Sequence, residues 1–557
     1  MILVMIVCAC QITQAQSLPD MEAIMRFSGS DDPMELNPEE VEFLEYLLYH
    51  PLRLNNASES ELQSCGLFTS YQVASICDYV SNHGPVRSLV ELALLDGFGN
   101  DFVYKIAPFV ELGDGVLSPS TGRGVKYDIV TKGGLIWRES DEYDGSYGIK
   151  SRVDSPGRFT ASLAASRASG TSSWKPSAWS GSFVWRFRRI PLRLTAGDFY
   201  ARFGQGLVLW SSSLINSLSS PDMFMKRPSG ITQPWSFTGG SSMRGIAVDY
   251  GTRHWKFSLL ADMKDMKTAV NAAWYGHDGQ VSLTNLVALP GKMGNNEMQV
   301  VSGLDASFCF RGINLFGEIA YAWHSKSTNV LAGTRFRVGE PLDFALHVRS
   351  LQNEESGAAL SGAFKFGRKL PSSGTLSVDF VYYPISKEEG EPYSMQVKSL
   401  LQWELCPADN WKVRFRLSER IRTWGLPFRT DVRSDIIYSP LPFVVGMRVN
   451  LLSCDKTGFL SYLEGGYDDE KISVYLRQGA FFIDDWDDRI YVYERDAPSS
   501  FNVPAMYGRG VWSALTASWN VASCLKLYVR TSFIGYPFME KKKPGKAELK
   551  LQLQYRF

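Results

Sequence analysis

The stretch Ala547-Glu548-Leu549-Lys550-Leu551-Gln552-Leu553-Gln554-Tyr555-Arg556-Phe557 ends the chain and alternates without a break. One face carries Ala547, Leu549, Leu551, Leu553, Tyr555 and Phe557; the other carries Glu548, Lys550, Gln552, Gln554 and Arg556. Period two is the signature of a β-strand with two different surroundings. A membrane-crossing strand needs about 9 to 11 residues, apolar towards lipid and polar towards a lumen, with aromatics at the interface. This segment meets each condition. It reads as the strand that closes a barrel.

Working outward, the composition fits that reading. Of 557 residues, 13% are aromatic and 48 are glycine, and the mean hydropathy is −0.13. A barrel hides its apolar residues in alternate positions, so a slightly negative mean is compatible with a membrane. No apolar run after the first residues is long enough for a helical span. From Val125 onward, strand-like runs recur between Gly, Pro, Asn, Asp and Ser, for instance Phe183 to Arg188, Leu342 to Arg349, Phe443 to Leu451 and Leu525 to Phe533. The fold class read from them is mainly β, a large antiparallel transmembrane barrel of roughly 20 to 26 strands over 125–557, with a small all-α N-terminal domain. The aromatic terminus at Phe557 also resembles the C-terminal signal of bacterial outer-membrane barrels, which implies a monomeric barrel among outer-membrane lipids of a Gram-negative cell.

Residues 1–15 have an apolar core and a small-residue site at Thr13-Gln14-Ala15, the pattern of a secretory signal peptide; acylation at Cys10 is the alternative. Cys65 and Cys77 are close enough in sequence for a disulfide in an oxidising compartment, or are simply free thiols. No metal-ligand spacing, phosphate loop or nucleophile motif occurs, so neither an enzyme nor a cofactor or metal site is expected. The run Asp484-Asp485-Trp486-Asp487-Asp488 lacks calcium-loop spacing and reads as a solvated loop.

From Asn37 to Leu112 the pattern turns helical, within a domain that spans 18–113. Pro38 to Tyr49 is amphipathic behind an Asn37 cap. Two helix–turn–helix units follow, over Leu54 to Asn82 and Ser88 to Leu112. The second has the turn Asp96-Gly97-Phe98-Gly99 ahead of a helix from Asn100. Leu54-Asn55-Asn56-Ala57-Ser58, His83-Gly84-Pro85 and Ile106-Ala107-Pro108-Phe109 complete an order of motifs that resembles the tandem helix-hairpin-helix domain of bacterial competence DNA receptors. The resemblance implies a periplasmic domain whose hairpin amides at Gly66, Gly97, Phe98, Gly99 and Asn100 face a DNA phosphate. Charge argues the other way. Residues 18–113 hold sixteen acids and four basic residues, a net −12, whereas phosphate affinity comes mainly from Lys and Arg. A periplasmic protein partner is the preferred expectation, and residues 114–124 read as the linker to the barrel.

The rest of the chain holds 54 basic and 42 acidic residues, a net +12. Alternation places Arg186, Arg188, Arg335, Arg337, Lys412, Arg414, Arg416, Arg420, Lys526 and Arg530 on lumen faces, since a charge at the lipid midplane costs about 2–4 kcal/mol. A basic lumen fits an anionic solute, a polyanion or an acidic plug; pairing with inward acids such as Asp343, Asp431, Asp435 and Glu548 is the structural alternative. The acidic domain is expected to dock at the periplasmic mouth. Residues 200–242 break the hairpin rhythm, and loops of that length are usually functional or disordered. With Gly197, Asp198, Phe203, Gly204, Gln205 and Gly206 at its start, it reads as a plug or constriction, or as an ordinary external loop. The Gly-Asp-Phe…Phe-Gly-Gln-Gly-Leu pattern resembles large outer-membrane proteins of Bacteroidota. The functions that follow are transport or translocon support, with DNA uptake as a version, or a non-transporting scaffold that recruits a periplasmic protein.

Overall fold

A computed structural model describes residues 21–556 except 31, 50, 58–60, 63–64, 114–124, 140–142, 156–157, 172, 188, 212–217, 239, 253, 277–278, 291–296, 340, 353–355, 368–370, 386, 388–391, 470, 523 and 540–542. The expected signal peptide, the linker, Arg188 and Phe557 therefore lie outside the described residues.

From Lys126 the chain climbs and descends through a closed antiparallel barrel of 24 strands, within the expected range. The last strand, Lys546–Arg556, pairs with the first, Lys126–Arg138, from Lys546 opposite Arg138 to Arg556 opposite Asp128. Leu549, Leu551, Leu553 and Tyr555 face outward and are exposed, while Gln552 and Gln554 are buried in the interior. The same division runs round the wall, where Leu259, Val270, Leu283, Leu315, Ile319 and Val348 stand exposed among many others. This outward apolar belt is what a barrel presents to lipid.

Connections on the side of the chain termini are short, with two residues between Phe310 and Ile313, between Ala408 and Trp411 and between Ala522 and Leu525. Those on the other side include 203–242 and 484–507. Both long connections turn back into the lumen. The first carries a three-residue strand, Gly230–Thr232, paired to the upper end of Leu192–Arg202. The second puts Tyr493 and Phe501 against the core of the N-terminal helices. It shows no break in periodicity as long as that of 200–242, and its inward course was not expected.

The N-terminal helices are α1 (Met21–Ser28), α2 (Pro38–Tyr49), α3 (Ser70–His83), α4 (Leu89–Ala93) and α5 (Gly99–Ile106). Helix α1 lies ahead of the expected helical region, which began at Asn37. Local chemistry explains their limits. The Thr69 side chain and Gln72 form a reciprocal capping box for α3, which ends at Gly84 with φ +87°. The Ser88 hydroxyl accepts the Glu91 N–H to start α4. Their apolar faces share one core, including Ile24, Phe27, Leu44, Leu67, Phe68, Val73, Ile76 and Phe109.

One expectation is corrected, and one alternative is decided. The helical segment, expected to dock at the mouth, is seated inside the barrel, with Asp32 reaching Arg416 and Arg433 part-way up the wall. Cys65 and Cys77 are free thiols. Cys65 is buried and donates to the Leu62 carbonyl oxygen at 3.0 Å, and burial pushes its thiol up to about 12.

Candidate functional site

The lumen is filled from two directions, by the helices from the terminal side and by the long connections from the other. What joins them to the wall is charge. In the turn after α1, Asp32 Oδ2 accepts from Arg416 Nη1 and from Arg433 Nη1, each at 2.7 Å, and Glu35 Oε1 accepts from Arg416 Nη2 at 2.6 Å. Arg416 and Arg433 oppose each other on the neighbouring strands Trp411–Arg422 and Phe428–Tyr438. One carboxylate thus bridges two guanidinium groups of the wall. Burial alone would raise the Asp32 carboxyl, but Arg433 and Arg416 beside it hold it well below the usual carboxylate range. Lower on the wall Lys412 pairs with Glu22 of α1, and Arg337 pairs with Asp101 of α5 at 3.2 Å.

A second clasp joins three parts of the chain. Asp222, in the inward connection, meets Lys105 of α5 at 2.7 Å and Arg335 of the wall at 2.5 Å. Arg335 also reaches Asp343 on the next strand. Burial lowers the Lys105 ammonium to about 8, with Asp222 opposing the shift.

The other basic positions have more local partners. Arg414 reaches Glu404 of the adjacent strand, with the nearer bond at 2.6 Å, and Arg530 bonds Glu548 at 3.0 Å as well as Glu494 of the second inward connection. Arg186 donates to Thr160 Oγ1 at 2.9 Å. Lys526 lies over the Tyr528 ring at 5.2 Å, and Arg420 faces the Cys454 sulfur at 4.0 Å. The set is divided between wall-to-wall pairs and pairs that hold inserted segments.

The glycine-rich start of the first inward connection is folded around a carboxylate. Glu318 of the wall accepts the backbone N–H groups of Gln205 at 2.6 Å, Leu207 at 3.1 Å and Val208 at 3.2 Å. Gly204 and Gly206 have φ of +57° and +84°, which turns successive amides towards one point, an anion-binding concavity here occupied by a side chain. Phe203 packs with Phe199, Leu209 and Ile231 against the inner wall, and the Gln205 amide oxygen accepts the Lys226 N–H at 2.9 Å. Asp198 accepts the Gly181 N–H and pairs with Arg244, both at 2.7 Å. Gly197 has φ +95°, and a Cβ there would collide with the Gly181 carbonyl oxygen, so the chain passes close only because it lacks one.

Glu45 of α2 marks the place where all the inserted segments meet. It accepts the Ser499 N–H at 2.6 Å. The Ser499 hydroxyl accepts from Lys150 of the wall at 2.6 Å, and Lys150 also donates to the Trp235 carbonyl oxygen at 3.1 Å. Tyr46 packs on the Trp235 ring at 5.5 Å. Burial pushes the Glu45 carboxyl up to about 8, against the opposing effect of the Ser499 amide.

The two hairpin turns have different surroundings. Gly66 (φ +66°) faces the Phe43 ring, with Leu67 and Phe68 buried. Gly97 and Gly99 (φ +79° and +78°) and Asn100 are exposed, while Phe98 is buried in the helical core. The turn lies near Asp101 and Arg337, hence at the terminal-side mouth. Of the acidic run, Asp484 pairs with Arg509 at 2.6 Å. Asp488 is buried, accepting N–H groups of Cys454, Asp455 and Lys456. Among the described residues no cluster of metal-ligating side chains occurs.

Asp32, Arg433, Glu45 and Glu318 were not singled out from sequence. A signal existed for Arg433, since Arg429, Asp431, Arg433 and Asp435 alternate along one strand. None existed for Glu318, whose role depends on a segment about 110 residues away.

No family model and no curated protein matches the chain. Among solved structures it is similar to the copper transporter OprC, at 6% identity over 77% of this chain and 80% of that one, with a TM-score of 0.42. It is similar to the siderophore receptor PirA from Acinetobacter baumannii, at 9% identity over 77% and 80%, TM-score 0.41. The FrpB iron transporter from Neisseria meningitidis (F3-3 variant) gives 9% identity over 78% and 81%, TM-score 0.41. These values describe a general likeness of large barrels.

Proposed function

We propose that this is an outer-membrane barrel for transport or translocon support, held closed by its own N-terminal helices. The observation that carries the reading is the Asp32 clasp, in which an acidic insert is fixed by Arg416 and Arg433 inside a basic wall. Barrels of more than twenty strands enclose a lumen wide enough to need a plug, and charge is the means by which this insert is held. Short turns mark the periplasmic end of such barrels, and this supports reading the mouth that contains Gly97 to Asn100 as the periplasmic one. The test is conductance of the purified chain in a planar bilayer. The natural protein is expected to be closed, and the full-length double variant R416E/R433E, which sets acid against Asp32 and Glu35, to show stepwise current. A correctly folded double variant that never conducts, while its helices are shown by protease sensitivity to be unseated, would sink the transport reading.

One observation favours a scaffold instead. Val90 on α4 and Leu94, the residue that caps its C-terminal end, are 71% and 83% exposed, the kind of apolar surface a protein partner covers. In that reading the periplasmic end of the insert recruits a partner and the barrel does not conduct. DNA uptake is the version that the exposed Gly97, Gly99 and Asn100 support, at the N-terminal end of α5. Its acidic surroundings work against it. Binding of duplex DNA to the intact protein at low salt, abolished by Gly99→Asp, is the outcome that version requires.

A further inference from the structure

The second inward connection does more than touch the helices, for it roofs a cavity. Residues 496–501 lie across the closing seam of the barrel and enclose a space of about 240 Å³ against the strands Lys126–Arg138, Leu525–Gly535 and Lys546–Arg556. The space exists because Gly134 has no side chain and its neighbours there, Ser146, Ala497 and Ser500, are small. A Cβ at Gly134 would already lie 2.6 Å from the Ser146 hydroxyl.

Its chemistry can be worked out group by group. Three cations face it, Lys132, Arg530 and Lys550. Arg530 is bonded to Glu494 and Glu548, and Lys550 to Asp496 at 2.8 Å. Arg530 and Lys550 are therefore met by three carboxylates and Lys132 is faced by Glu42, so the site has no net positive charge with which to select an anion. Lys132 lies 3.9 Å over the Phe237 ring, leaving its N–H groups available as donors. Gln552 is 3% exposed, and its amide nitrogen donates to the Pro498 carbonyl oxygen at 2.9 Å. That bond fixes which way the amide points, and the Gln552 oxygen is left buried without a partner. A buried acceptor in this state is unfavourable until a donor reaches it. The cavity therefore asks for a molecule that accepts from Lys132 and donates to Gln552, is neutral, and tolerates the rings of Phe501 and Tyr528 in the lining.

Hydroxyl groups both donate and accept, and the C–H faces of a sugar ring pack on aromatic rings. We infer that the seam cavity binds a neutral, polyhydroxylated solute of about monosaccharide size, beneath a lid made by residues 496–501. The lid is held from both sides, by Gln552 on Pro498 and by Glu45 on the Ser499 N–H. Ser499 has φ +63°, a backbone state that non-glycine residues adopt only when their surroundings impose it. Opening the lid releases that constraint together with its bond to α2, so access to the cavity is coupled to the seating of the helices.

This assignment names a solute class for the transport reading and rests on it for its role, yet it is tested separately. Purified full-length protein is titrated with D-glucose, D-galactose and glycerol, and in parallel with acetate and inorganic phosphate, by ligand-observed saturation-transfer NMR. Saturable sugar binding is expected, with acetate and phosphate at least tenfold weaker. Gly134→Leu and Ser500→Phe, each filling the space from a different side, are expected to weaken sugar binding at least tenfold while circular dichroism stays unchanged. No saturable binding of any sugar, tighter binding of the anions, or sugar binding that survives both variants would overturn the assignment and leave the cavity to water. Sugar binding by a chain whose unseated variant never conducts would keep the site and remove transport. Conductance without sugar binding would do the reverse.

Discussion

Glu45 is a carboxyl buried among Ser499, Glu42 and Lys150, pushed up to about 8 chiefly by loss of water. The seated state therefore binds its proton more tightly than the unfolded chain does. Stability from this group is fully present at low pH, falls as pH rises from the ordinary carboxylate range towards 8, and levels off above it. Thermal unfolding of the intact protein in detergent is expected to show a midpoint that declines between pH 5 and 8. Glu45→Gln keeps an acceptor for the Ser499 N–H and should flatten the decline; an unchanged slope would assign it to other groups. Glu318 is a different case, for its worth lies in having two acceptor oxygens. Glu318→Gln retains one and turns an NH2 group towards the amides that the other had satisfied. The expected cost is about 1–3 kcal/mol, read as faster hydrogen exchange at Gln205, Leu207 and Val208 with the barrel amides unaffected.

At the scale of elements, the insert is held unevenly. Asp32, Arg416 and Arg433 are almost inaccessible to water, and removing the acid leaves buried guanidinium groups without it. Asp32→Ala is expected to cost about 3–5 kcal/mol. Glu22, whose side chain is 49% exposed where it pairs with Lys412, belongs to the class worth about 0–1 kcal/mol, and Glu22→Gln should be nearly silent. Equal effects of the two variants in protease protection of α1 would show that position in the lumen does not matter. The strands themselves were legible because their two faces meet lipid and a polar interior, so the alternation at 547–556 is forced by the surroundings. Helix α2 was legible for the same reason at a period of 3.6. Helix α1 was not, being only eight residues long and held by contacts with α2 and α5 that sequence does not reveal. The Gly204-Gln205-Gly206 turn could be recognised as close-packed backbone; that it wraps Glu318 could not, since nothing local encodes a partner so far along the chain. Arg335 and Arg416 could be placed on lumen faces, but whether each would meet a wall acid or an inserted one depended on where the helices went.

The whole chain is neutral, yet it divides into a part of −12 and a part of +12, and the smaller part lies inside the larger. Two kinds of attraction could keep it there. A diffuse field between opposite charges extends about 10 Å at 0.1 M salt and contracts to about 3 Å at 1 M, so an insert held that way would loosen in concentrated salt. Contact pairs shielded from water are screened much less, and the Asp32 and Asp222 clasps are of that kind, with all six of their side chains mostly buried. The natural protein in a planar bilayer is therefore expected to stay closed as KCl is raised from 0.1 to 1 M. R416E/R433E should conduct at both concentrations, because it replaces attraction at the contact with repulsion. Current that appears in the natural protein with salt alone would mean that the field, and not the clasps, closes the barrel. The summed charge of the insert, and not the two clasps, would then be what sets its affinity for the lumen.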